Sequence, residues 1–288
     1  MCDQDHYEED LKKYMSAAAL TRRQFGAISV GVGMSMLLPE VANAQAVMES
    51  DVEIKTPDGT ADCYFVYPQT GQHPAVIVWP DILGLRPAFR QMGRRLAESG
   101  YSVLVVNPFY RAARSPVVKP GATFTDPEVK QTVFKFAGQL NATTHVTDTQ
   151  AFVAWLDTQK SVSRTRGMGT TGYCMGGPIV MRTTSASPRV LAGASFHGGG
   201  LVTQAADSPH LLAAKTKAQF LIAIAENDDQ RAPKEKDVLR ETFGNRAEVE
   251  VYAGAAHGWC PPDSAVYHKD QAEKAWSRLL VLFGKALA

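Results

Sequence analysis

Five consecutive apolar residues, Ala-Val-Ile-Val-Trp at 75–79, limit what this chain can fold into. A strand that is apolar on both sides has to be covered on both sides, the condition of a parallel sheet held between helices. Further strands are predicted at 102–106, 168–173, 190–196, 220–225 and 248–252. Helix-length segments separate them. Pro87 opens one that runs to Ser99, with Gly100 in the stop position, and Asp126-Pro127-Glu128 starts another. Others are predicted over 144–158, 175–185, 233–243 and 265–287. Pro57-Asp58-Gly59 joins strands at 51–56 and 61–67 into an N-terminal hairpin. The alternation predicts an α/β fold, a mostly parallel sheet with helices on both faces, in a single domain over 47–288. Ligands of such sheets sit beyond the carboxyl ends of the strands, so functional residues are expected just after strands. The Pro-, Gly- and Arg-rich stretch 107–125 is expected to be a surface loop near that end.

Residues 1–46 read differently. Thr21-Arg22-Arg23-Gln24-Phe25 is a twin-arginine pattern, and a mostly apolar run to residue 38 follows. That run is too short for a spanning helix, which needs about 20 residues. Ala-Xaa-Ala sequences then offer cleavage after Ala44 or Ala46. The expectation is a signal peptide read by the twin-arginine export machinery and a periplasmic or exported mature protein without stable membrane insertion. The start is either Met1 or Met15. A net charge of +1, with no basic block after the leader, points away from nucleic acid. With Cys2 in the leader, Cys63, Cys174 and Cys260 remain. Cys63 and Cys260 are expected to be buried thiols, although an oxidising compartment would allow them to pair.

The strongest motif is 172–177, Gly-Tyr-Cys-Met-Gly-Gly, lying between a predicted strand and a predicted helix. It has the pattern of a nucleophile elbow with Cys174 as nucleophile. The turn is tight, so small residues are needed two before and two after it. The following helix points its positive end at the sulfur, which favours thiolate. An acid and a histidine must come later in the chain. Asp228, or Asp229 next to it, follows the strand at 220–225, and His257 follows the strand at 248–252. Cys174, Asp228 and His257 thus make a candidate triad, with the base taking the thiol proton and the acid fixing its tautomer. His197, in Phe-His-Gly-Gly-Gly, also follows a strand and either lines the pocket or caps a flexible loop. His257 and Cys260 have no further ligands in reach of the pattern, so no metal and no cofactor are expected.

Taken together, 76–85 (Val-Ile-Val-Trp-Pro-Asp-Ile-Leu-Gly-Leu), 172–177, Asp228 and His257-Gly258-Trp259 resemble the dienelactone hydrolase (carboxymethylenebutenolidase) family. The resemblance covers the chain from about residue 51 onward. It implies an α/β-hydrolase fold, a Cys-Asp-His triad, no metal, and an enol-lactone or related ester substrate. It also implies that Asp81 tunes the thiol, where dienelactone hydrolase has the longer Glu. The backbone N–H groups of Ile82 and Met175 become the oxyanion hole. One departure is plain. The family has an arginine for the substrate carboxylate shortly after the histidine, whereas this chain has Gly-Trp-Cys-Pro-Pro. Arg111, or Arg114, could substitute from the loop after another strand. The leading function is a hydrolase of a small ester or lactone. The alternatives are acyl transfer or thioester cleavage on the same triad, and a non-catalytic binding protein of the same fold.

Overall fold

The computed structural model describes residues 38–288; the twin-arginine pattern and most of the apolar run behind it lie outside the described residues. Eight strands form one sheet: β1 (Val47–Thr56), β2 (Gly59–Pro68), β3 (Ala75–Trp79), β4 (Ser102–Val106), β5 (Met168–Tyr173), β6 (Val190–Phe196), β7 (Gln219–Ala225) and β8 (Ala247–Tyr252). Their spatial order is β1-β2-β4-β3-β5-β6-β7-β8. β1 and β2 pair antiparallel through the Thr56↔Gly59 turn, β2 pairs antiparallel with β4, and every other pairing is parallel. The order reverses beside β3: β4 lies on one side of it and β5 on the other. A crevice at the carboxyl ends of β3 and β5 is therefore where this topology opens a binding site.

Period-two alternation along the buried strands separates two cores. Val76 and Val78 face α1 (Pro87–Glu98) and the C-terminal helix, here α7 (Lys269–Ala286), through Phe89, Met92, Leu279 and Phe283. Ala75, Ile77 and Trp79 face α3 (Ala142–Asp157) and α4 (Gly176–Ala186) through Phe152, Leu156, Ile179 and Val180. α6 (Glu235–Phe243) joins the second core with Leu239 and Phe243. α2 (Pro127–Ala137), capped by Asp126, packs near the carboxyl ends with Val133 against Ile82 and Phe109. This is the α/β architecture expected from the alternation of elements, and it agrees with the α/β-hydrolase fold that the resemblance implies. Cys63 belongs to one core and Cys260 to the other. Both are free and buried, burial raises both thiol pKa values, and the sheet separates them. They do not pair.

Several elements depart from the sequence reading, β1 among them, which starts at Val47 rather than 51. The acidic segment after β7 forms a short helix, α5 (Glu226–Arg231), whose first turn carries Glu226, Asp228 and Asp229, the signs that favour a helix N-terminus. A 3-10 turn covers Pro209–Lys215. The last helix begins at Lys269 rather than 265, because His268 caps it by accepting the Gln271 N–H. Ahead of β1, Gln45 N–H donates to Glu98 O at 3.0 Å and Ala46 O accepts from Gln69 N–H at 2.8 Å. Among the described residues no helix is long and apolar enough to cross a membrane.

Candidate active site

β5 ends at Tyr173, and the chain reverses into α4 through Cys174. Cys174 has φ 51°, a left-handed conformation that costs an L-residue about 1–3 kcal/mol and persists only where the surroundings enforce it. They do so here. Gly177 N–H donates to Cys174 O at 3.0 Å, and Cys174 N–H is shared between Phe196 O at 3.0 Å and His197 Nδ1 at 3.1 Å. A Cβ on Gly172 would lie 2.2 Å from Gly176 O, and one on Gly176 2.4 Å from Trp79 O. Only glycine fits at either position. The second contact also presses the elbow against the end of β3. There Ile82 and Met175 pack into one small apolar cluster, which brings the two expected oxyanion loops together.

His257 lies on the loop after β8 and is oriented from α5. Its Nδ1 donates to Asp228 Oδ2 at 2.7 Å, and its backbone N–H donates to the buried Asn227 Oδ1 at 2.8 Å. Arg231 donates to the other oxygen of Asp228 at 3.3 Å. Asp229 faces elsewhere, both oxygens held by Lys236 Nζ at 2.7 Å. Of the two aspartates, Asp228 is the one in contact with His257.

His197 is no mobile loop residue. It is 1% exposed and adopts φ 40°, and its N–H donates to Ala223 O at 2.8 Å. The ring stands edge-on to His257 at 5.1 Å and to Trp259 at 5.0 Å between centroids. Because Nδ1 accepts the Cys174 N–H, the proton sits on Nε2, which has no hydrogen-bond partner among the described residues. Burial first, and then the nearby His257, hold its pKa well below the ordinary value. His197 is a neutral wedge between the elbow and His257. Gly198 behind it is close-packed too, since a Cβ on Gly177 would meet Gly198 Cα at 2.5 Å.

Asp81 follows β3 as expected, but its carboxylate has a second claimant. Arg86 Nη1 and Nη2 donate to its two oxygens at 2.6 and 2.9 Å, and the Leu83 N–H donates to Oδ1 at 2.9 Å. Arg86, 7% exposed, also grips Asp263 at 2.7 and 2.9 Å, tying the loop after β3 to the loop after His257. Both aspartates raise the Arg86 pKa against the opposing effect of burial. Neither Arg86 nor Asp263 was marked by the sequence.

Arg111, suggested for the substrate carboxylate, is held by two protein carboxylates. It stacks on Tyr110 and donates to both oxygens of Asp148 at 2.6 and 2.9 Å and to Asp58 at 2.6 Å. The loop after β4 turns this side chain toward α3 and the β1–β2 turn, where two carboxylates compensate its charge. Arg114, on the same loop, is exposed and pairs with Glu53. Among the described residues, no group of three or more His, Cys, Asp or Glu is arranged to hold a metal ion.

The model of the dienelactone hydrolase family matches residues 61–287. The chain belongs to the dienelactone hydrolase family. It is a dienelactone hydrolase-like hydrolase. A protein of Methylorubrum extorquens provisionally named carboxymethylenebutenolidase is 25% identical over 95% of this chain and 96% of its own length. The carboxymethylenebutenolidase of Rhodococcus opacus is 23% identical over 76% of this chain and 83% of its own. A Klebsiella pneumoniae structure, provisionally named dienelactone hydrolase, superposes with TM-score 0.71 at 22% identity, covering 84% of this chain and all of that one. A dienelactone hydrolase-like promiscuous phosphotriesterase from metagenomic libraries follows with TM-score 0.67 at 19% identity, covering 84% and 100%.

Proposed function

We propose that this dienelactone hydrolase-like protein cleaves a small ester or lactone through a thioester on Cys174. The observation that carries the reading is the 2.7 Å contact of His257 Nδ1 with Asp228, in a fold whose strained elbow presents Cys174. With Nδ1–H committed to the acid, Nε2 of His257 is the basic atom. Nε2 takes the thiol proton as Sγ attacks the carbonyl carbon. The oxygen that gains negative charge is received by the main-chain N–H groups of Ile82 and Met175. Collapse breaks the C–O bond, and the leaving oxygen takes the proton from His257. A water then gives its proton to His257 and its oxygen to the acyl carbon. The acid is released and the thiol restored. Asp81 tunes the thiol, and Arg86 fixes the direction in which its carboxylate points. His197 can hold the elbow without competing for protons, since burial keeps it neutral.

Cys174→Ala should lower ester hydrolysis by several orders of magnitude, as loss of a triad nucleophile does. All three cysteines are buried, but iodoacetamide should modify Cys174 at the elbow well before Cys63 and Cys260, whose thiols burial holds protonated. Loss of activity in Cys63→Ala or Cys260→Ala, with Cys174→Ala active, would place the nucleophile elsewhere. We further propose that the precursor leaves the cytoplasm by the twin-arginine route, on the strength of Arg22-Arg23 and the apolar run behind them.

A further inference from the structure

A cavity of about 370 Å³ opens between α3, α4 and the 3-10 turn Pro209–Lys215, on the sheet face covered by α3 and α4. That size suits a small molecule. Arg182 and Lys215 line it, with Asp207 as the one acid on its wall and Leu211 and Leu212 as an apolar side. Leu211 is 50% exposed at its rim.

Arg182 lacks an adequate counter-charge. Its side chain is 14% exposed, and its one carboxylate contact among the described residues is Asp207, itself 64% exposed, at 3.5 Å. Nη1 donates to His145 Nδ1 at 3.2 Å, Nη2 donates to Asp207 O at 3.3 Å, and the buried Nε has no hydrogen-bond partner among the described residues. Arg86 and Arg111 are comparably buried, yet each grips two aspartates at 2.6–2.7 Å. His145 supplies no negative charge. Burial, with Arg182 and Arg111 nearby, pushes it down to about 3, so it is neutral, and among the described residues its Nε2 is unpartnered as well. Burial also pulls the Arg182 pKa down, with Asp207 opposing. Buried charges are ordinarily paired, and an anion in the cavity would complete this one.

We propose that this cavity binds a small organic carboxylate, its charge on Arg182 and Lys215 and its apolar body against Leu211 and Leu212. The apolar wall is what distinguishes such a ligand from a bare inorganic anion. Ester or lactone hydrolysis releases a carboxylic acid, but the site stands whether or not Cys174 is the nucleophile.

Benzoate is the probe, titrated calorimetrically into full-length protein before and after Cys174 is capped with iodoacetamide. Binding should survive capping and fall roughly tenfold or more in Arg182→Gln, the loss expected of a charge-assisted hydrogen bond. Lys215→Glu alters an exposed side chain, so the fold is kept, and it too should weaken binding. That variant decides the matter if Arg182→Gln does not fold. No saturable binding, binding unchanged in both variants, or binding abolished by capping alone would overturn the proposal. Inorganic phosphate binding as tightly as benzoate would overturn the assignment to an organic acid.

Discussion

Replacing Glu235 by Gln probes the electrostatics behind the Asp228–His257 pair. Glu235 opens α6, and its carboxyl is pushed up to about 7, first by burial and then by the charge of Asp228. Hydrogen bonds from the backbone N–H groups of Leu201 and Val202 oppose the rise. From the ordinary 4.5, a rise of this size corresponds to at most about 3–4 kcal/mol, at 1.36 kcal/mol per pKa unit. Because the folded pKa is the higher one, the folded state keeps a proton that the unfolded chain releases. The associated stability is complete below about pH 4.5 and is lost as pH rises through about 7. Gln keeps an oxygen for the two N–H groups and does not ionise. Urea unfolding should therefore give similar free energies for wild type and Glu235→Gln near about pH 4.5, with the variant ahead by about 2–3 kcal/mol near about pH 8. In an Asp228→Asn background the gain should shrink, since part of the repulsion is already gone. A difference between wild type and variant that does not change over this pH range would refute the reasoning.

Asp228→Asn should lower kcat/KM by about 10³–10⁴-fold through the wrong His257 tautomer, whereas Asp229→Asn, whose partner is Lys236, should stay within about threefold; steady-state kinetics on one ester separates them. With Arg111 held by Asp148 and Asp58, and Arg86 held by Asp81 and Asp263, a neutral ester should be turned over at least as well as its carboxylated analogue; a strong preference for the anionic member of a matched pair would mean that another cation receives it. Replacing Arg22 and Arg23 together with Lys should leave precursor in the cytoplasm, and N-terminal sequencing of exported protein should begin at Gln45 or Val47, the first of which keeps both main-chain bonds made by residues 45 and 46.

The sheet and the elbow were legible because both rest on local rules. Continuous apolar runs such as Ala75–Trp79 have few alternatives, and the glycine at 172 answers a clash with Gly176 four residues on, whereas the one at 176 answers Trp79 from a distant strand. The order of acid and base followed from the elbow motif, with each partner sought just after a later strand. What stayed hidden depends on contacts distant in sequence. Arg86 meets Asp263 across 177 positions, and nothing in its surroundings marks that partner. Arg111 satisfied the rule that functional residues follow strands, yet Asp148 from α3 claims it. The glycines after His197 suggested mobility, whereas Gly198 lets α4 approach closely. α5 has no apolar period to betray a helix; its acidic first turn was the available signal.

The central claim is covalent catalysis at Cys174, and trapping the intermediate tests it most directly. The protein should be mixed with an activated ester, quenched in acid within one turnover and weighed intact by mass spectrometry. We expect the mass of one acyl group on the protein, mapped to the peptide containing Cys174, labile to hydroxylamine and absent from Cys174→Ala. Turnover without any acylated protein, or acyl groups on Cys63, Cys260 or a hydroxyl, would contradict the account.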